Sequence, residues 1–220
     1  IFTGSALQNI GFPPLLKAIS RYLPSPSEGK KRTATVPGSE AIEEIKTDDK
    51  AALAALVFKT SADQYVGKLT YFRVFSGTIN SNSHVWNSSK NTIEKIGQLL
   101  IPRGKSQENK ISLIAGEIGA VAKLSSTNTG DILCQKDHAL LLPSIQLPVS
   151  IYSMAISPRT KQDLDRMGGI LPRLIEEDPY LHIRKEQGTG ETLLVGMGET
   201  HLDVTVEKLQ RKFGLGIILS

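Results

Sequence analysis

From Ala51 to Leu142 the sequence offers no long amphipathic helix, and that exclusion limits the fold more than any other feature. Short runs rich in branched and aromatic residues recur instead: "ALAALVFKT", "YVGKLTYFRVFSG", "SHVWN", "TIEKIGQLLI", "GEIGAVAKL" and "TGDILC". Turn signals separate them at Gly77, Asn80–Ser83, Asn87–Ser89, Arg103-Gly104 and Asn128–Gly130. Strands of this length, spaced by roughly ten residues, predict an antiparallel barrel or sandwich.

Beyond Pro143 and Pro148 the pattern changes. "VSIYSMAI" reads as a strand, and Thr160 with Asp163 reads as a capping box. Leu164, Met167, Leu171 and Leu174 then mark one helical face, with Pro179 beyond its end. "YLHIRK" and "ETLLVG" flank "EQGTG", a hairpin signal. A second helix is predicted from about Thr200 to Phe213, with Leu202, Val206, Leu209 and Phe213 inward and Gly214 as its C-terminal cap. "LGIIL" opens a last strand. The order strand, helix, strand, strand, helix, strand is that of a ferredoxin-like α/β sandwich.

The N-terminal stretch predicts one short helix. Pro13 and Pro14 suit its start, Pro24 and Pro26 its end, and Leu15, Leu16, Ile19 and Leu23 its apolar face. That face needs a partner, expected N-terminal to it. Residues 27–49 are polar and mixed in charge and read as a linker or loop.

"LLVGMGETHLDV" resembles the opening of a phosphate-binding loop, but its chemistry argues against one. A dinucleotide fingerprint needs a third glycine where His201 stands, and a Walker loop needs Lys then Ser or Thr where Glu199 and Thr200 stand. A carboxylate at the helix start would repel phosphate. The glycines are read as a sharp strand-to-helix turn, with Thr200 and Asp203 capping the helix. His84, His138, His182 and His201 show no metal-ligand spacing. Cys134 reads as a small buried residue, no serine sits in a nucleophile elbow, and Glu176-Glu177-Asp178 reads as a solvated helix end. No catalytic residue is assigned.

Charge separates the regions. Residues 50–149 hold eleven basic and six acidic side chains, whereas residues 1–49 balance and residues 150–220 carry one net negative charge. A basic middle region suits a phosphate backbone as partner. No apolar run approaches the roughly 20 residues that cross a bilayer. The single cysteine and the lack of a basic leader suggest a reducing, cytoplasmic setting. With no initiator Met, the chain is expected to be a piece of a longer protein.

These residues carry a family resemblance. "GMGETHLDVTVEKLQRKFG" and "IEEDPYLHI" resemble domain III of bacterial elongation factor G, a translational GTPase. "LAALVFKTSADQYVGKLTYFRVFSGTI" and "LIAGEIGAVAKLSSTNTGDILC" resemble its domain II barrel, and "GSALQNIGFPPLLKAISRYLPSP" resembles the end of its GTPase domain. The resemblance implies four segments: the end of a GTPase domain at 1–26, a linker at 27–49, a β-barrel domain II at 50–145 and a ferredoxin-like domain III at 146–220. It assigns Ser5, Ala6 and Leu7 to part of a guanine-recognition loop. It implies GTP and Mg²⁺ in the parent protein but neither on this chain alone, which lacks the phosphate loop and the Asn-Lys-x-Asp motif. It further implies a monomer, partnered by ribosomal RNA and small-subunit proteins, acting in GTP-dependent translocation and not at a membrane. Two alternatives stay open: a non-enzymatic ribosome- or RNA-binding adaptor, or a paralogue acting in ribosome recycling or protection.

The sequence departs from the family pattern at Thr200, where Leu is usual, and at Gln64, where Pro is usual. Gly168, Gly169 and Pro172 also fall inside the first domain III helix. Interior glycines cost about 1 kcal/mol each and an interior proline about 3, so this helix is expected to kink or break near residue 168.

Overall fold

The computed structural model describes residues 1–63, 67–104, 106–143 and 145–220; the Gln64 departure lies outside them. Helix α1 (Phe12–Tyr22) leads to a hairpin of β1 (Arg32–Thr35) and β2 (Ile42–Ile45). Ten strands follow: β3 (Ala54–Asp63), β4 (Gly67–Ser76), β5 (Thr78–Asn80), β6 (His84–Asn87), β7 (Thr92–Lys95), β8 (Leu99–Arg103), β9 (Ser106–Lys110), β10 (Ser112–Ile114), β11 (Ile118–Ala122) and β12 (Ile132–Cys134). The C-terminal module runs β13 (Tyr152–Pro158), α2 (Lys161–Glu177), β14 (His182–Lys185), β15 (Thr192–Gly196), α3 (Glu199–Phe213) and β16 (Ile217–Leu219).

Eight strands of the first module form one antiparallel sheet in the order β7-β6-β12-β3-β4-β11-β8-β9. Alternation along β4 sets its two faces: Phe72, Val74 and Ser76 point into the core, while Tyr71, Arg73 and Phe75 point outward. The predicted barrel is therefore present as a curled sheet, but its ladder does not close, since β7 and β9 do not pair. The separate β5/β10 ribbon supplies Ile79 and Leu113 to the core. Gly77 makes the β4–β5 corner possible, because a Cβ there would lie 2.7 Å from the Leu53 backbone and φ is +72°.

Residues 27–49 correct the linker reading. The segment folds into the β1/β2 hairpin, which places Ala34 and Ile45 against Ala54, Ile132, Leu140 and Leu142. Thr35 and Leu141 exchange backbone hydrogen bonds of 2.8 Å each. Only two residues in the hairpin are apolar and buried, too few for a periodicity to show.

The second module has the sheet order β14-β15-β13-β16, all neighbours antiparallel, with α2 and α3 covering one face. This is the ferredoxin-like arrangement. Thr160 caps α2 by accepting from the Asp163 amide at 3.1 Å, while Asp163 accepts from Gly216 N at 3.1 Å and so ties the helix to β16. The expected break near residue 168 does not occur: α2 runs through Gly168, Gly169 and Pro172 without interruption. Leu171 and Leu174, 4% and 1% exposed, anchor the turn that Pro172 weakens. Arg166 closes the far end by donating to the Phe213 and Gly214 carbonyls at the α3 C-terminus.

Helix α1 buries none of its residues, and its apolar face of Leu15, Leu16 and Ile19 has no covering element among the described residues. No helix among them is long and apolar enough to cross a membrane.

Candidate functional site

Ser5, Ala6 and Leu7 form the bend of a short loop. Ser5 and Ile10 exchange backbone hydrogen bonds at 3.1 Å, and Ser5 Oγ accepts from Gln8 N at 3.3 Å. Gly4 and Gly11 let the two arms cross, since a Cβ on either would come within 2.6 Å of a backbone oxygen. Among the described residues the amides of Ala6 and Leu7 find no acceptor. They are donors open to an outside oxygen, beside a hollow of about 230 Å³ lined by Phe2, Ser5, Ala6 and Phe12.

The "GMGETH" turn is built differently from its reading in sequence. Helix α3 begins at Glu199 with Gly198 as its cap, which places Thr200 inside the helix, where it cannot serve as N-cap. The expected Thr200–Asp203 cap is therefore replaced. His201 Nδ1 accepts from Met197 N at 3.1 Å, so its proton sits on Nε2, which donates to Asp178 Oδ2 at 2.9 Å. Gly196 serves packing: a Cβ there would lie 2.7 Å from Leu202 Cδ2.

The acidic run at the end of α2 is not the solvated helix end expected from sequence. Glu177 has a side chain only 4% exposed, paired with Lys208 Nζ at 3.0 Å and with Lys212 Nζ. Its Oε1 also accepts from Ala62 N on β3. Burial by itself would raise its pKa, but these donors outweigh it and hold the carboxyl below its ordinary value. Thr60 Oγ1 donates to the Glu176 carbonyl, and Lys68 Nζ lies 3.3 Å from Glu176 Oε2. Among the described residues the two modules thus meet at a polar joint between β3, the start of β4 and the C-terminus of α2. Three consecutive acids give no periodic signal that would separate a buried one from an exposed one, so sequence reading missed it.

Other chemistry-bearing groups are also occupied by structure. Glu94, 3% exposed, accepts from Ser125 N and Oγ, Ser126 N and Thr127 Oγ1, at 2.7–3.2 Å. Burial opposes its ionisation, yet these bonds hold its pKa below the ordinary carboxylate value. Cys134 is buried, and that burial pushes its thiol pKa up, away from reactivity. His84, His138, His182 and His201 stay apart, and no group of three or more potential metal ligands occurs among the described residues. These carboxylates, histidines and lysines join elements: His201 with Asp178 ties α3 to the end of α2, and His138 with Glu43 at 3.1 Å ties the β12 region to β2.

Residues 52–136 match the family model described as elongation factor G domain 2, and residues 147–220 match that described as elongation factor G domain III. A crystal structure of a protein from Thermus thermophilus is similar at a TM-score of 0.78 and 28% identity. The similarity covers 97% of this chain and 30% of the other, so the chain spans under a third of the solved relative's length.

Proposed function

The chain belongs to the elongation factor G family through its domains II and III, and we propose that it acts within a ribosome-associated translational GTPase that drives GTP-dependent translocation. The observation that carries this reading is the joint at Glu176 and Glu177. It couples the ferredoxin-like module directly to β3 of the barrel, as a relay between a nucleotide-dependent domain and a ribosome-bound one requires.

GTP and Mg²⁺ belong to this reading, and GTP would supply the phosphoryl chemistry. The open amides of Ala6 and Leu7 fit the acceptor edge of a guanine, with Ser5 fixing the bend through its own bonds. The phosphates and the metal would be held by residues that this sequence does not contain, and this chain by itself is not expected to hydrolyse GTP. Ribosomal RNA is the expected partner of the barrel, with which the basic excess of residues 50–149 agrees. The protein is expected to be a cytoplasmic monomer that contacts small-subunit proteins.

Thr200 in the first turn of α3 and the Gly168, Gly169 and Pro172 of α2 favour a second reading, a paralogue acting in ribosome recycling or protection. The deciding measurement is GTP hydrolysis by the full-length protein with and without ribosomes. Ribosome-stimulated hydrolysis together with movement of messenger RNA supports the translocase. Stimulated hydrolysis without that movement supports the paralogue. Absence of GTP binding leaves the non-enzymatic adaptor.

A further inference from the structure

The segment between α1 and β2 and the outward face of β4 enclose a cleft of about 410 Å³. Five cations line it, Lys30, Lys31, Arg32, Lys46 and Arg73, against a single carboxylate, Glu44. Glu44 is already neutralised by Lys31 at 2.9 Å. Among the described residues Lys30, Arg32, Lys46 and Arg73 have no carboxylate partner. Arg73 Nε is buried and has no acceptor among them. The Arg32 and Arg73 guanidinium carbons lie 4.3 and 5.6 Å from the centroid of the Phe75 ring, which presents both to the cleft.

The walls are fixed. Thr47 Oγ1 donates to the Pro26 carbonyl at 3.2 Å, and Pro26 packs on Gly116, where a Cβ would lie 2.9 Å from its Cγ. A guanidinium nitrogen buried without an acceptor is costly, and unbalanced cations in a concave site concentrate positive potential. An oligoanion relieves both. The volume falls in the range of small-ligand sites, roughly 300–1,000 Å³, and suits a molecule of mononucleotide size.

We propose that this cleft binds a small ligand carrying a diphosphate, its oxyanions received by Arg73, Arg32, Lys30 and Lys46. The site shares no lining residue with the hollow at Ser5–Leu7, so it is separate from any guanine contact there and does not depend on the translocase reading.

The test titrates inorganic pyrophosphate into the full 220-residue chain at low ionic strength, read by calorimetry and by backbone amide shifts. Binding with a Kd of about 10–100 µM is expected, with shifts confined to residues 25–32, 44–47, 73–75 and Gly116. The exposed substitutions Lys30→Glu and Lys46→Glu, which leave the core untouched, should each weaken binding about tenfold, and Arg73→Met at least as much. No binding, shifts scattered over lysines elsewhere, or affinity unchanged by Lys30→Glu and Lys46→Glu would overturn the proposal. So would tighter binding of a single-stranded RNA hexamer at the same amides, which would make the cleft a nucleic-acid contact.

Discussion

Glu177 concentrates several constraints in one side chain. It lies against two lysines of α3 and a backbone amide of β3, so neutralising it removes the carboxylate charge that all three donors share. Glu177→Gln is expected to destabilise the chain by about 2 kcal/mol, measured by urea unfolding at neutral pH. The pH dependence follows from the lowered pKa. The unfolded chain binds this proton more readily than the folded one, so the stabilisation is complete above the ordinary carboxylate pKa. It is lost as pH falls through the lower folded value. Glu94 contributes an acid limb of the same sign, so Glu177→Gln should shrink the loss of stability on acidification without abolishing it. At His201, replacement by Ala removes the acceptor for Met197 N and the donor to Asp178. A cost of about 1–2 kcal/mol in thermal unfolding is expected. A nucleotide-binding turn would instead show a change in ligand affinity, and none is expected.

At the scale of elements, α2 shows what decides a helix. Gly168 and Gly169 have open space where a Cβ would go, and neither has a positive φ. Gly168→Ala and Gly169→Ala should therefore stabilise the chain by up to about 1 kcal/mol each, read as a raised midpoint of unfolding. In sequence these residues look like a break because propensity is local, whereas Thr160, Asp163, Leu171 and Leu174 hold both ends of the helix by tertiary contacts. Elements with strong periodicity were legible: the alternation of β4, the Leu202–Leu209 face of α3 and the Gly214 cap all stand where the pattern put them. The β1/β2 hairpin was not, because its stabilising partners, Ile132 and Leu140, lie far along the chain from it. The candidate site was legible only in part. Ser5–Leu7 follow from the family resemblance alone, whereas Asp178–His201 and the Glu177 joint are meetings of residues from different elements, which no spacing rule reports.

At the scale of the whole molecule, the hydrogen bonds and ion pair described between the two modules are polar and charge-assisted. Replacing Thr60 by Val and Lys68 by Met together is expected to leave each core intact and to uncouple the modules. A single unfolding transition in the parent chain should then separate into two, with the barrel melting independently, as followed by tryptophan fluorescence from Trp86 in β6. A single, uniformly shifted transition would mean that the joint does not carry the coupling. The Thr35–Leu141 pairing joins positions 106 residues apart and so stitches the hairpin to the segment that follows the last strand of the sheet. During synthesis at about 5–20 residues per second, the hairpin leaves the exit tunnel about 5–20 s before Leu141 follows it. For that interval Ala34 and Ile45 lack most of the surface they will cover, so the hairpin waits with its apolar side chains bare until the residues around Ile132 and Leu140 emerge.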